Sequence, residues 1–184
     1  MITLRAATQQ DAEFLAVCMI MALGKDYAFC LEDSKQMQLA AEVCGREDTL
    51  YSWRNAWIAE NGDERSGALI GYDGAQYAEM RRITFALLSD IISPETAQMQ
   101  AETKAGEFYL DSLAVMPEYR KQGIGRTLIL HAIEQLTREK KQPVVLVVLP
   151  DNPARRMYES IGFRPEEEVF LFGENYLRCR YLPV

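Results

Sequence analysis

Val144-Val-Leu-Val-Val-Leu149 restricts the possible folds of this chain more than any other stretch. Six apolar residues in a row line both faces of a strand, so such a strand has to lie inside a sheet with cover on each side. Helical patterns flank it. Upstream, Leu128, Ile129, Ala132, Ile133 and Leu136 recur at helical spacing from about Gly123 or Ile124. Downstream, Asn152-Pro153 reads as a cap followed by proline at the first helical position, with Ala154, Met157, Tyr158 and Ile161 as the buried stripe and Gly162 as the stop. Phe108 to Val115 reads as another strand, ending near Pro117, which cannot donate to a sheet ladder.

The first half adds a short strand at 2–5 and a helix capped by Thr8 and ended by Gly24, with Phe14, Leu15, Cys18 and Met19 on one face. A helix around Ser34 to Cys44 follows. Strands at 57–60 and 67–72 are joined by a polar loop over 61–66, and a helical pattern runs from Ala75 to Ile92. Residues 93–105 read as a loop or short helix. Two closing strands, from Phe163 and over 176–182, complete an α/β (α+β) chain, a single domain over 1–184 with a mixed sheet flanked by helices.

A length of 184 residues suits one domain. No run approaches the roughly 18 apolar residues of a membrane helix, and the start lacks the basic-then-apolar pattern of a signal peptide. The expectation is a cytoplasmic protein with no membrane partner. Cys18, Cys30, Cys44 and Cys179 are widely spaced with no Cys-x-x-Cys, which predicts reduced, mostly buried thiols and no metal site. The net charge of −7 argues against a nucleic-acid partner. All of it falls in residues 1–106, with nine basic and sixteen acidic side chains, whereas 107–184 carry eleven of each. Cations of the second half gather at Arg120, Lys121 and Arg126 and at Arg155 and Arg156, suggesting an anion site.

The sharpest chemical signal is Arg120-Lys-Gln-Gly-Ile-Gly-Arg126, between a strand and a helix. Two glycines at a helix start let the backbone curl round a ligand, and free amides with the helix dipole attract an anion. No Gly-x-x-x-x-Gly-Lys-Ser/Thr exists here, and a dinucleotide fingerprint would need glycine where Leu128 stands. What remains is Arg/Gln-x-x-Gly-x-Gly. With the Leu113-Ala-Val115 strand end, Asn152-x-x-Ala-x-x-x-Tyr158 and Ile161-Gly-Phe163, the chain resembles the GNAT superfamily of acetyl-coenzyme A dependent N-acetyltransferases, closely over residues 107–163.

The resemblance implies a V-splayed sheet of six or seven strands, parted between Phe108–Val115 and Val144–Leu149, with acetyl-coenzyme A as co-substrate and no metal. Backbone groups around Leu113, Ala114 and Val115 would pair with the pantetheine arm. Amides of Lys121, Gln122, Gly123, Ile124, Gly125 and Arg126 would hold the pyrophosphate, with charge from Arg120, Lys121, Arg126 and Arg155. Asn152 would bond the cofactor arm, cap its helix, or do both. Tyr158 would donate a hydrogen bond or proton to the leaving sulfur. Glu107 and Asp111 lie four apart on one strand, sharing a face with Tyr109 and Leu113, and either is a candidate base.

His131, beside the apolar stripe of its helix, is expected at the surface, and Glu166-Glu-Glu168 as a solvated turn. By the same resemblance the acceptor enters over 23–53 and 72–105, where Tyr27, Trp53, Tyr72 and Tyr77 would wall a pocket and Glu32, Asp33, Asp73 and Glu79 attract a cationic amine. The helical region before Ala105 is either a lid or extra packing. The expected activity is transfer of an acetyl group to a primary amine of a small molecule or peptide, by direct attack in a ternary complex. The alternative is a non-catalytic coenzyme A binding or regulatory module. The acceptor's identity, the acyl group and a homodimeric state stay open.

Overall fold

The computed structural model describes residues 1–89, 92, 98–139 and 142–181. Elements run β1 (Ile2–Ala6), α1 (Ala12–Leu23), a 3-10 segment (Lys25–Glu32), α2 (Ser34–Gly45), β2 (Ala56–Asn61), β3 (Glu64–Asp73), α3 (Tyr77–Leu87), β4 (Phe108–Val115), α4 (Ile124–Glu139), β5 (Val144–Val148), α5 (Arg155–Ile161), β6 (Phe163–Leu171) and β7 (Glu174–Tyr181). The strands form one sheet in the order β1-β2-β3-β4-β5-β7-β6. Only β4 and β5 are parallel neighbours; the other pairs are antiparallel.

The two-faced cover required by Val144–Val148 is present. Val144, Leu146 and Val148 pack with Leu128, Ile129 and Ala132 of α4, while Val145 turns to the other face, against Tyr72, Tyr77 and Tyr109. On that same side α1 and α2 cover Ile58, Ile70 and Ala114. All four cysteines are free and buried, and no described helix is long and apolar enough to cross a membrane.

The parallel pair is very short. Phe108 faces Val144 and Tyr109 faces Val145, and beyond these the two strands part. The β4 strand also carries a bulge: Gly71 of β3 faces Leu110 and Ile70 faces Ser112, leaving Asp111 as the extra residue. Side chains packed towards α4 therefore switch from Phe108 and Leu110 to Leu113 and Val115. Strict alternation put Leu113 on the face of Glu107, Tyr109 and Asp111, and the bulge moves it to the opposite one. Gly71 stands at the irregularity, where a Cβ would meet the Tyr109 carbonyl oxygen at 2.7 Å and the Phe108 ring at 2.9 Å.

Local boundaries differ in instructive ways. Thr8 leads into a 3-10 turn, Gln9–Asp11, before α1. The loop between β2 and β3 shrinks to Gly62-Asp63, because polar residues at both strand ends still pair. Asn152 does not cap α5 itself: its side-chain oxygen accepts from the Ala154 amide at 2.9 Å, shaping a turn ahead of the helix at Arg155. Glu166–Glu168 belong to β6 rather than to a solvated turn, with Glu166 bulged and ion-paired to Arg178 and Arg180 of β7. Of the segment 93–105, residues 93–97 lie outside the described residues.

The β6–β7 connection is Phe172-Gly173, with φ of 51° and 82°. Positive φ at both central residues is the requirement of a type I′ turn, normally met by Asn, Asp or Gly. A phenylalanine there costs about 1 to 2 kcal/mol.

Gly71→Ala is expected to cost about 1 to 3 kcal/mol, since the added methyl group collides with backbone that cannot move aside. Urea denaturation would register this as a lower midpoint at unchanged slope.

Candidate active site

The parting of β4 from β5 leaves a cleft walled by Leu110, Asp111, Leu113, Ile129, Leu146 and Tyr158. Asp111 comes from the bulge, which turns its carboxyl to the tyrosine side: Oδ2 accepts from the Tyr72 hydroxyl and Oδ1 from Ser112 Oγ, both at 2.7 Å. Burial pushes the Asp111 carboxyl above the ordinary carboxylate range, and those two hydrogen bonds offset part of the rise. Tyr158, on α5, reaches the cleft from the other wall. Its ring packs edge-on to Phe163 with centroids 6.1 Å apart, and burial pushes the phenol up to about 12.

The glycine loop packs against the cleft wall at Leu113. The first helical bond of α4 runs from the Thr127 amide to the Gly123 carbonyl at 3.0 Å, so the Ile124, Gly125 and Arg126 amides precede any intrahelical acceptor. Lys121 and Gly123 both have positive φ, at 61° and 81°, a curl that turns successive amides to one side. A Cβ on Gly125 would lie 3.4 Å from Leu113 Cδ2, an ordinary contact, so the protein itself leaves room for alanine there. The same contact links the loop to the cleft through Leu113.

The cations round the loop are partly engaged. Arg120 Nε donates to the Val115 carbonyl at 3.1 Å, Arg126 donates to Ser160 Oγ at 2.9 Å, and Arg155 pairs with Glu159 at 2.7 Å. Arg155 and Asn152 line a separate groove with Pro150, Asp151 and Arg156. Among the described residues, no three His, Cys, Asp or Glu side chains are grouped as a metal site. His131 is half-buried on α4.

Glu107 is not brought to the cleft. It is 3% exposed, and its carboxylate accepts from Arg178 at 2.6 Å and from Arg180 at 3.4 Å. This ion pair fastens the start of β4 to β7 across β5. Tyr72 and Tyr109 are buried tyrosines with centroids 5.7 Å apart, and Tyr77 stacks on Tyr72 at 6.1 Å.

The acids expected at an acceptor pocket lie elsewhere. Asp33 caps α2, Asp73 caps the turn before α3, Glu79 pairs with Arg82 on an exposed face, and Glu32 is exposed. The acid that does line the neighbouring cavity is Glu102, with Tyr27 and Tyr77 but without Trp53 or Tyr72. Desolvation and the nearby Asp111 charge push Glu102 up to about 8, against the lowering influence of Arg81 and a hydrogen bond from Tyr109. Glu102 lies in a polar stretch without helical or strand periodicity, so its sequence carries no signal for this role.

A sheet that parts between two parallel strands beside a glycine-led helix is the arrangement that the sequence resemblance implied. The profile of the Acetyltransferase (GNAT) family matches residues 23–163, and the chain belongs to that family. The mouse Cysteine-rich protein 2-binding protein is 36% identical over 78 residues, 42% of this chain but 10% of that protein. The [Ribosomal protein bS18]-alanine N-acetyltransferase of Escherichia coli K12 is 40% identical over 58 residues, 31% of this chain and 39% of that one. The chain thus spans well under half the length of either curated relative. A crystal structure described as an acetyltransferase aligns over 97% of this chain and 98% of its own, with a TM-score of 0.77 and 24% identity.

Glu107→Gln is expected to destabilise the fold by about 1 to 3 kcal/mol, because buried Arg178 loses one of its charged partners while Glu166 remains. Chemical denaturation measures the loss, while kcat of the folded fraction stays within about threefold of the parent if Glu107 only holds the strands.

Proposed function

We propose that the protein is an N-acetyltransferase that moves an acetyl group from acetyl-coenzyme A to a primary amine in a ternary complex. The observation that carries this reading is the cleft with Asp111 and Tyr158 on its walls and the amide-rich glycine loop packed against its wall residue Leu113. Membership of the GNAT family supports the co-substrate, and the name of the Escherichia coli relative supports an amine as acceptor. Four free thiols suit work in the reducing cytoplasm.

The amides from Lys121 to Arg126 hold the pyrophosphate, with Arg120, Lys121 and Arg126 adding charge. Backbone groups from Leu113 to Val115 take the amide-bearing arm as a neighbouring strand would, the Val115 carbonyl first releasing its bond from Arg120 Nε. Acetyl-coenzyme A supplies the thioester. The amine nitrogen forms a bond to the carbonyl carbon, the carbon–sulfur bond breaks, and sulfur leaves as thiolate.

Asp111 takes the proton lost by the ammonium. Its raised proton affinity suits that role, whereas Glu107 is committed to two arginines. Tyr158 holds its proton more tightly than a thiol with a pKa of about 8.5, so it steadies the departing sulfur by donating a hydrogen bond. The second N–H proton, made acidic by the new bond to carbon, passes to solvent, and solvent protonates the thiolate.

Thiol release from acetyl-coenzyme A with a panel of amines, amino acids and peptides tests the activity. Tyr158→Phe is expected to lower kcat by about a hundredfold, with little change in the acceptor KM. Background rates with every amine, despite coenzyme A binding, would leave a non-catalytic module instead. Gly125→Ala is expected to keep or raise the melting temperature while weakening coenzyme A at least about tenfold in calorimetry, since the methyl group intrudes on the ligand and not on the protein.

A further inference from the structure

The Met116 amide donates to the Ser66 carbonyl of β3 at 2.9 Å. Across a trans peptide a carbonyl points the opposite way from the amide that follows it, so the Val115 carbonyl faces away from β3. On that side β5 has already parted from β4, since the two share only Phe108 with Val144 and Tyr109 with Val145. The Val115 carbonyl is therefore an acceptor on the open edge of β4, where the amide-bearing arm pairs in the reading above. In this structure a side chain covers it: Arg120 Nε donates to it at 3.1 Å.

That side chain stands on a fixed stem. The Tyr119 amide donates to the Met116 carbonyl at 2.9 Å and the Arg120 amide to the Pro117 carbonyl at 3.3 Å, while the Tyr119 hydroxyl bonds to Glu64 of β3. The backbone that carries Arg120 is thus tied down, and release of Val115 asks only the guanidinium to move. No opposite charge holds the guanidinium, because Arg120 is exposed and forms no ion pair among the described residues. Arg126 and Arg155 differ in resting on Ser160 Oγ and on Glu159.

A guanidinium presents its donors as a flat fork. A diphosphate answers it with several charged oxygens, whereas a carbonyl is neutral and gives one acceptor atom, so the anion wins the competition. It also binds within reach, since the amides from Lys121 to Arg126 begin at the residue after Arg120.

We propose that Arg120 makes the site select acyl donors that carry a diphosphate, because its guanidinium closes the β4 edge at Val115 until the anion draws it away. This rests on the cofactor reading above and specifies which donors that site admits. A thioester of pantetheine alone has the same arm but nothing to move Arg120, and has to displace it unaided. Coenzyme A moves it and gains its charge. The two ends of the cofactor therefore cooperate, the diphosphate raising the fraction of molecules whose edge is open to the arm.

Calorimetry with coenzyme A and with pantetheine, on the parent and on Arg120→Ala, tests this without turnover. The variant is expected to bind coenzyme A at least about fivefold more weakly and pantetheine at least about threefold more tightly. An arginine that only adds charge would weaken coenzyme A and leave pantetheine unchanged, which would overturn the proposal. Weaker binding of both, with a lower melting temperature, would make Arg120 a structural residue and overturn it equally. Arg126→Ala is the control for charge and is expected to weaken coenzyme A alone. A pantetheine gain of the same size there would show that loss of any cation favours the neutral arm, again against the proposal.

The carbonyl carbon resonance of Val115 reads the bond itself. Inorganic pyrophosphate alone is expected to move it in the parent towards its position in free Arg120→Ala, and to move it far less in the variant. A resonance that stays in place in the parent at saturating pyrophosphate would rule out the release. With S-acetylpantetheine as donor, kcat/KM is expected to be at least about threefold higher in Arg120→Ala than in the parent, and with acetyl-coenzyme A at least about fivefold lower. The crossover in binding with no amine acetylated would overturn the acetyltransferase reading alone, whereas acetylation without the crossover would overturn only the role of Arg120. Binding of neither compound would remove the cofactor reading, and this one with it.

Discussion

Everything in the functional half hangs on how briefly β4 and β5 stay together. They share two residue pairs, Phe108 with Val144 and Tyr109 with Val145, and then part. Glu107, bonded to Arg178 and Arg180 on β7, ties the two sides of the sheet together at that closed end. A parallel pair left without partners over the rest of its length would normally be costly, because backbone amides and carbonyls need hydrogen bonds. Here the open edge faces a cleft in which a bound amide chain can complete them.

The Asp111 bulge is the complement of that parting. One extra residue in β4 reverses the alternation, so Leu113 and Val115 turn towards α4 and the glycine loop, while Asp111 turns to the tyrosines. The α4 side and the tyrosine side of the sheet thus meet at one residue. Tyr72 and Tyr109 fill the space between the cleft and the Glu102 cavity, and their burial keeps both carboxyls in a place where charge is expensive. Two acids so placed hold protons more readily than surface acids, which suits chemistry in which an ammonium must lose one.

The legible part of this architecture was local. The double-faced run at Val144, the Pro117 stop, the helix from Ile124 and the Gly162 break are read from neighbours in sequence, and the strand and helix bounds agree closely with them. Signals failed where distant partners decide. Glu166 is exposed as its sequence suggests, but its place in a strand bulge opposite Arg178 and Arg180 has no local sign. Glu107 and Asp111 read as equivalents until the first is found between arginines and the second in a bulge, a feature with no signature in residue type. Glu102 was invisible, since nothing in its surroundings along the chain distinguishes it from a surface acid.

The sequence by itself determined an α/β sheet covered on both faces and the glycine-led helix start, because burial pattern and backbone freedom are properties of short stretches. Only the tertiary structure decided where charge sits. A carboxyl's role depends on what packs round it, and those neighbours come from tens of residues away: Asp111 meets Tyr72, Glu107 meets Arg178, and Phe172 closes over a cavity begun by Met19. Folding brings such groups within a few ångströms, the range over which hydrogen bonds and desolvation set their chemistry.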